Sequence, residues 1–316
     1  MTNLVVIGGG SGVASILRGI KELDDVNIKA IITVADNGGS TGRLKTKYRI
    51  PAVGDIRNVL VSLAESETLL KELMDFRFVG DSSIGEDVEG HSLGNLIIAS
   101  LMQETGDFMD AIKKLESVLR IKGSIIPSTL SVVDLFAEMT DGSIVVGETN
   151  IRDTDKQINN VFYNHTVEST PEALLAIKEA DYIIFGIGSL YTSIIPNIIV
   201  DDIRKCINES KAEVIYLSNI MSEVGETDGY TVKDHVDAIE SHLLGKIDTI
   251  VYPSNEIPSD VIRAYAAENA AFVSLDDDER LCDYTVQKCD LVTFEGTQAR
   301  HDSDKIKKWF KDKVRK

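Results

Sequence analysis

Four glycine-rich segments carry most of the side chains in this sequence that could do chemistry. They are GGGSG at residues 8–12, DNGGSTGR at 36–43, GDIRN at 54–58 and GIGSLYTS at 186–193. Glycines let the backbone turn sharply toward an anion, and a helix that follows such a turn offers free N–H groups to phosphate. Any one segment could be an ordinary turn, but four together predict a site for a phosphate-bearing ligand.

The second and third segments supply charged and polar groups for that ligand. Asp36 could hold ribose hydroxyls, as the acidic residue after strand two does in dinucleotide-binding folds. It could instead hold Mg²⁺, which prefers carboxylate and phosphate oxygens. Arg43 could bind phosphate with two parallel hydrogen bonds. Asp55 reads as a helix N-cap, and Arg57 and Asn58 in the next turn could face the same ligand.

Other chemistry-bearing residues give weaker signals. The dinucleotide fingerprint G-x-G-x-x-G fails at Val13, and the P-loop motif is absent from the sequence, which disfavours an NAD-dependent oxidoreductase. His91 could be an acid–base group or a capping residue. His235 and His242 lie seven residues apart on one predicted helix, without a third metal ligand nearby, and are expected at the surface.

The elements that must position these segments alternate between strand and helix. Short apolar runs predict strands at residues 4–7, 29–35, 181–186, 213–217 and 248–252, with helices between them and one long helix over 55–76. Buried strands separated by helices pair in parallel through right-handed crossovers. The pattern therefore predicts an α/β fold, a Rossmann-like three-layer sandwich whose ligands bind beyond the carboxyl ends of the strands.

One stretch interrupts this alternation. Residues 130–148 read as a β-hairpin that turns at Asp141-Gly142. We predict a single domain over residues 1–316, with a small β-containing insertion at about residues 122–165.

Composition limits the partners and the compartment. The formal net charge of −18 disfavours nucleic acid and anionic membranes. Apolar runs fall short of the roughly 20 residues of a membrane span, and the first residues lack the basic region of a signal peptide. Cys206, Cys282 and Cys289 show no metal-ligand spacing, which fits a reducing compartment. We expect a cytoplasmic protein with a small-molecule ligand; a homo-oligomer is compatible with the sequence.

Six stretches in order resemble one family. GGGSG, VADNGGSTGRL, GDIRN, HSLGN, GIGSLYTSIIPN and NIMSEVGETDGY resemble the diagnostic stretches of the YvcK-type gluconeogenesis factors. That family is similar in fold to the CofD-type 2-phospho-L-lactate transferases. The resemblance implies nucleotide-sugar binding, with UDP-N-acetylglucosamine the favoured ligand. It also implies a role in carbon metabolism, in cell-envelope morphogenesis and so in cell shape, with a metabolic or cell-envelope protein as partner.

The resemblance also assigns residues and shows departures. It implies a metal or phosphate role for Asp36, and a place at the ligand cleft for Asn95, Ser189, Asn219, Glu226, Tyr265 and Arg300. Ser11 replaces the usual threonine, and Gly186-Ile187-Gly188 replaces the common GPG. Asn37 replaces the second aspartate of ADDGGS. If both carboxylates are needed to hold a metal, the loss of one weakens the site, so Asn37 favours ligand binding over catalysis.

Two functions stay open at this point. The first is a regulatory nucleotide-sugar-binding protein, and the second is a Mg²⁺-dependent phospho-group transferase without assigned catalytic residues. Asp36 is the predicted metal ligand and Mg²⁺ the candidate cofactor. The predicted ligand-binding residues are Gly10, Ser11, Gly12, Asp36, Gly38, Gly39, Ser40, Arg43, Asp55, Arg57, Asn58, Asn95, Gly188, Ser189, Leu190, Tyr191, Asn219, Glu226, Tyr265 and Arg300.

Overall fold

The computed structural model describes residues 1–65, 67–79, 88–276 and 280–315, and strands alternate with helices along them. The strands are β1 (Thr2–Gly8), β2 (Val26–Ile32), β3 (Ser124–Pro127), β4 (Phe136–Met139), β5 (Ile144–Val146), β6 (Ile158–Phe162), β7 (Tyr182–Gly186), β8 (Glu213–Leu217), β9 (Thr249–Pro253), β10 (Thr285–Cys289), β11 (Val292–Glu295) and β12 (Gln298–His301). The helices are α1 (Gly10–Ile20), α2 (Gly39–Tyr48), α3 (Gly54–Leu63), α4 (Glu67–Asp75), α5 (Leu93–Thr105), α6 (Phe108–Leu119), α7 (Glu148–Arg152), α8 (Pro171–Lys178), α9 (Ile195–Ile198), α10 (Asp201–Glu209), α11 (Val232–Leu243), α12 (Ser259–Ala267) and α13 (Ser303–Val314), with a π-helical turn at Leu190–Ile194 before α9.

A seven-stranded parallel sheet forms the centre of the molecule, in the order β10-β9-β8-β7-β1-β2-β3. The predicted α/β class is confirmed. Val5 in β1 pairs with Lys29 in β2 on one side and with Ile183 in β7 on the other. The chain leaves β1 toward β2 and later resumes on the opposite side at β7. A crevice therefore opens between the ends of β1 and β7, where such sheets bind ligands.

Apolar periodicity explains why these segments form a sheet covered by helices. Residues 4–7 of β1 are completely or almost completely buried, as expected of a central strand covered on both faces. Val13, Ile16, Leu17 and Ile20 recur at helical spacing on α1, and all four are fully buried. In the described part of the chain, no helix is both long and apolar enough to cross a membrane.

The β-containing insertion begins later than predicted. Residues 124–127, inside the predicted boundary of 122–165, form β3 and pair in parallel with β2 in the central sheet. The small antiparallel sheet has the order β5-β4-β6, and β6 was not predicted. The hairpin turn at Asp141-Gly142 is present between β4 and β5, and the chain then enters the short helix α7 at Glu148.

Three further predictions were wrong in detail. The long helix over residues 55–76 is two helices, because the chain is extended at Ala64, and Asp55 lies inside the first turn of α3 rather than at its N-cap, which is Val53. His235 and His242 are buried in α11 instead of exposed. Each ring bonds the backbone carbonyl four residues earlier, at 2.8 and 2.6 Å, which satisfies a polar nitrogen inside the core.

Candidate functional site

Two glycine loops meet at the crevice between β1 and β7. A Cβ on Gly12 would lie 2.1 Å from the carbonyl oxygen of Ile187, so the loops pack backbone against backbone. Gly10 adopts a φ of +65°, which favours glycine, and begins α1. The first turn of α1 has no side-chain cap from its N-cap residue, Gly9, so its N–H groups suit an anion.

A cavity of about 890 Å³ lies beside these loops. The predicted residues among its lining are Ser11, Gly12, Gly188, Asn219, Tyr265 and Arg300. The structure therefore brings six predicted residues from five separate parts of the chain to one cavity.

The hairpin β11–β12 forms one wall of this cavity. The Tyr265 hydroxyl donates to the Ala299 carbonyl at 3.4 Å and accepts the Ala299 N–H at 3.3 Å, which ties α12 to β12. The Arg300 guanidinium donates to Gln298 Oε1 at 2.6 Å and lies 3.6 Å from a Glu295 oxygen. The aromatic ring of Tyr265 on α12 and the exposed cation of Arg300 on β12 thus line the same cavity, and the two Tyr265–Ala299 hydrogen bonds hold these elements together.

Sequence reasoning missed a second side chain of this wall. His301 lines the cavity next to Arg300, and its imidazole bonds the backbone carbonyl of Ser218. Burial lowers the pKa of His301 to about 4, so the ring is neutral near pH 7. Adjacent residues of a strand point to opposite faces, so Arg300 gave no signal that His301 would also reach the cavity.

Three carboxylates lie together on the other side of the first glycine loop. A Cβ on Gly9 would lie 2.2 Å from Asp55 Oδ2, and one on Gly54 would lie 2.8 Å from Asp36 Oδ2. Asp55 also accepts the Gly10 N–H. Glu148 at the start of α7 hydrogen-bonds to Asp36, and its buried Oε2 has no partner. We call Asp36, Asp55 and Glu148 the acidic cluster.

Burial and mutual repulsion raise two pKa values in the acidic cluster. Burial, with the charge of Asp36 nearby, raises the pKa of Asp55 to about 7. Burial, the hydrogen bond to Asp36 and both aspartates raise the pKa of Glu148 well above its ordinary value. Glu148 is thus protonated near pH 7 and donates its proton to Asp36.

The donor set of the acidic cluster fits a hard divalent cation. Mg²⁺ is usually bound by one or two carboxylates, waters and substrate phosphates rather than by a complete protein cage. Asp36 and Asp55 supply such carboxylates beside the phosphate-friendly loop, and the unpartnered oxygen of Glu148 adds a third candidate ligand. Among the described residues, no three His, Cys, Asp or Glu side chains already enclose a common point. A bound cation would therefore have to take the place of the proton between Asp36 and Glu148.

Asn37 has a different role from the one inferred from sequence. Its Oδ1 accepts the Thr149 N–H at 3.1 Å and the Thr149 hydroxyl at 3.3 Å. Asn37 therefore caps the first turn of α7 and holds Glu148 at the acidic cluster. Because its amide is used there, the substitution for aspartate does not remove a carboxylate from the cluster, and the inference against catalysis loses its basis.

The second glycine loop is held in shape by one buried carboxylate. Glu226 accepts hydrogen bonds from the Ser189 hydroxyl at 2.5 Å, the Thr192 hydroxyl at 2.9 Å and the Tyr191 N–H at 3.1 Å. Burial raises the pKa of Glu226 in spite of these bonds. Leu190 and Tyr191, predicted as ligand contacts, are buried in the core. Glu226 and Ser189 therefore position the loop, and their bonds to one another leave Gly188 to face the cavity.

Arg57 and Asn58 do not face the ligand cavity as predicted. The Arg57 guanidinium is buried, donating to Ser92 Oγ at 2.8 Å and to Asn58 Oδ1 at 2.7 Å, and lies 3.7 Å from Asp75. A buried cation needs such partners, which here come from α4 and the start of α5. These two residues join helices rather than hold phosphate.

The remaining predicted residues lie in the glycine-rich loop at residues 36–43 and the first turn of α2, except Asn95, which lies in α5. Gly38 donates its N–H to Asp36 Oδ1 at 2.7 Å. Ser40 bonds His91 Nδ1 at 2.9 Å and accepts from Asn95 Nδ2 at 3.2 Å, so Asn95 and the buried His91 position α2. Gly39 and Arg43 line a separate cavity of about 660 Å³ that also includes His91. Arg43 is therefore not placed at the glycine-loop cavity.

Comparison with known proteins adds independent information. A family model described as 2-phospho-L-lactate transferase CofD matches residues 4–292. The gluconeogenesis factor of Bacillus subtilis is 42% identical over 306 residues, which covers 96% of this chain and 95% of that protein. The gluconeogenesis factor of Halalkalibacterium halodurans is 41% identical, covering 96% and 94%. A crystal structure of a UPF0052 family member from Bacillus halodurans superposes with a TM-score of 0.91 at 40% identity, covering 98% of this chain and 99% of that one.

Proposed function

The chain belongs to the CofD family and, within it, to the gluconeogenesis factors, and from this we propose that it is a regulatory protein that binds a nucleotide sugar. The proposed ligand is a uridine diphospho-sugar, UDP-N-acetylglucosamine, and the proposed compartment is the cytoplasm. The bound state would be passed to a metabolic or cell-envelope protein, with consequences for carbon metabolism and cell shape. This proposal is more specific than the name of the relatives, gluconeogenesis factor, and is consistent with it.

One observation carries the proposal most directly. Two glycine loops converge across the switch point at the edge of one 890 Å³ cavity, whose far wall holds Tyr265 and Arg300. Ser11, Gly12 and Gly188 line the cavity, and the first turn of α1 would offer backbone N–H groups to phosphates there, apart from that of Gly10, which bonds Asp55. Tyr265 offers an aromatic face for a base, and Arg300 a cation for a phosphate or sugar. In a protein with a net charge of −18, such local groups are needed to hold an anionic ligand.

A divalent cation would complete this arrangement. Asp36 and Asp55 would hold Mg²⁺, with Glu148 as the third candidate ligand. Bound there, the cation would neutralise phosphate charge next to the first glycine loop. The protein itself contributes the order of the loops, through Glu226, and the position of α7, through Asn37.

Transfer of a phospho-group is the second candidate function. The observation that favours it is the acidic cluster, because such a cluster beside a phosphate site suits positioning and charge compensation, the main requirements of phosphoryl transfer. The matching family model is also described by a transferase name. The sequence alone made Asn37 an argument against catalysis. In the structure this no longer holds, because the Asn37 side chain bonds Thr149 instead of facing the cluster.

Calorimetric titration tests both functions. UDP-N-acetylglucosamine is titrated into the wild type, Arg300→Ala and the matched control Arg263→Ala, an exposed arginine of α12. Each titration is run with Mg²⁺ and with EDTA. We expect micromolar binding by wild type and control, and binding weaker by at least about tenfold in Arg300→Ala, because a charge-assisted hydrogen bond contributes about 1.5–3 kcal/mol.

Product analysis of the same mixtures separates binding from turnover. Unchanged ligand after prolonged incubation with Mg²⁺ supports the sensor. Sustained release of UMP, UDP or free sugar, lost in Asp36→Asn, would establish the transferase instead. Equal affinity in Arg300→Ala and Arg263→Ala would remove Arg300 from the site.

A further inference from the structure

Two residues that line the glycine-loop cavity each carry one buried polar atom without a hydrogen-bond partner. The two atoms are Asn219 Oδ1 and His301 Nε2. Buried side-chain acceptors are nearly always paired, because an unpaired one loses its water without compensation. Two such atoms on residues of the same cavity therefore call for an explanation, and a ligand with donors at that wall would supply it.

The hydrogen bond to Ser218 assigns the role of the His301 nitrogens. His301 Nε2 has no partner, so the nitrogen that bonds the Ser218 carbonyl is Nδ1, and because a carbonyl can only accept, Nδ1 carries the proton. The Nε2 atom is buried and the ring is neutral near pH 7, so Nε2 keeps its lone pair. Its free nitrogen is therefore a hydrogen-bond acceptor.

Asn219 is fixed in the same manner. Its Nδ2 donates to the Gly188 carbonyl at 2.9 Å, and this bond assigns the amide orientation. The amide oxygen is therefore the unpaired atom. Since Gly188 belongs to the second glycine loop, Asn219 connects that loop to the wall that carries His301.

We propose that Asn219 and His301 are specificity-determining residues whose two acceptors bind hydrogen-bond donors on the nucleoside part of the ligand. This rests on the proposed nucleotide-binding function and extends it. A phosphate group carries no donor at neutral pH, so these atoms do not read the diphosphate. A nucleoside has donors in two places, the ribose 2′- and 3′-hydroxyls and the N–H of the base. Donors from either source could bond the two unpaired acceptors. A ligand without such a donor would leave an acceptor unpaired and would therefore bind more weakly.

Removal of one acceptor with its structural bond retained gives a direct test. In His301→Asn, the amide nitrogen takes the place of Nδ1 and can still donate to Ser218, whereas the atom equivalent to Nε2 is gone. His301→Gln places an amide near the Nε2 position and is the rescue variant. We expect His301→Asn to bind UDP five- to tenfold more weakly than wild type and His301→Gln to recover part of the loss. Urea unfolding should show no loss of stability in His301→Asn.

Ligand analogues identify the donor. UDP, 2′-deoxy-UDP, 3′-deoxy-UDP and 3-methyl-UDP are titrated into wild type and His301→Asn. The analogue that lacks the donor to His301 should bind five- to tenfold more weakly than UDP to wild type, and as well as UDP to His301→Asn. The two deoxy analogues report the ribose, and the methyl analogue reports the base.

Several results would overturn the proposal. One is equal affinity for UDP in wild type and His301→Asn; another is an equal penalty for every analogue in both proteins. A loss of stability in His301→Asn without loss of affinity would make the residue structural. Failure of wild type to bind UDP refutes the uridine ligand alone, and the variants are then compared with GDP and ADP. Binding of none of the three diphosphates would refute both the nucleotide function and this inference.

Discussion

The two sides of the first glycine loop are built in different ways. On the side of β7, backbone packs on backbone, and the loop around Ser189 is clamped by one fully partnered carboxylate, Glu226. On the side of β2, three half-buried carboxylates lie together, and one of them is held in place by the bond between Asn37 and Thr149. The first region is fixed by shape, whereas the second is held against its own electrostatic repulsion.

This difference indicates which functional features tolerate change. A loop that is held by close backbone packing should lower the free energy of unfolding when a side chain is enlarged there, because neighbouring backbone atoms cannot move aside. A cluster of repelling charges should instead respond to the removal of charge, to pH and to the loss of its cap. Three predictions test this division, in order of decreasing effect on the free energy of unfolding.

The largest effect is expected for Gly12→Ala. Alanine in a helix normally stabilises relative to glycine by up to about 1 kcal/mol. Here its Cβ would lie 2.1 Å from the Ile187 carbonyl oxygen and 2.9 Å from the Gly188 nitrogen, both backbone atoms. The clash should outweigh the helix preference and lower the free energy of unfolding by about 3 kcal/mol, measured by urea denaturation.

Gly39→Ala is the matched control for that variant. Gly39 has a φ of +43°, and a Cβ there would meet no atom within 4 Å. Only backbone strain of about 1 kcal/mol is then expected. Equal stability of the two variants would mean that the glycine loops do not touch.

The division also explains how far sequence analysis could reach. The glycine loops and parallel strands were predictable because strand, loop and helix are local and follow one another along the chain. Glu148 was not predictable, since it comes from an insertion. It meets the loop at residues 36–43 because Thr149, 112 residues along the chain from Asn37, donates a hydrogen bond to that side chain. Residue type also did not show where a side chain points. Arg57 has the chemistry of a phosphate ligand, but its buried guanidinium donates to Ser92.

The second prediction concerns charge in the acidic cluster. The pKa of Asp55 is raised to about 7 in the folded protein from 3.8, so between these values the folded state holds a proton that the unfolded state has lost. The contribution of Asp55 to the free energy of unfolding therefore falls as the pH rises through this range. Asp55→Asn removes the titration and keeps an acceptor for the Gly10 N–H.

We expect Asp55→Asn to be more stable than wild type at pH 8 by on the order of 2 kcal/mol, with the difference decreasing toward pH 4. Unfolding by urea in EDTA from pH 4 to 8 measures this. Asp304→Asn, which changes an exposed aspartate of α13 outside the acidic cluster, is the control and should show no such trend. A constant difference across the pH range would contradict a buried, repelled Asp55.

The smallest effect is expected where a single bond holds the insertion to the cluster. Asn37→Ala removes the acceptor for the Thr149 N–H and should cost about 1 kcal/mol, as loss of a helix cap does. The cost should be local, so hydrogen exchange of the amides in α7 should accelerate about fivefold while those of β1 keep their rates. Asn37→Asp retains an oxygen acceptor and should leave α7 protected.

If both variants exchange like wild type, Asn37 does not hold α7, and Glu148 must reach Asp36 by packing alone. If Asn37→Asp also accelerates exchange, the added charge disturbs the cluster, and the cap then depends on the neutral amide that this chain carries.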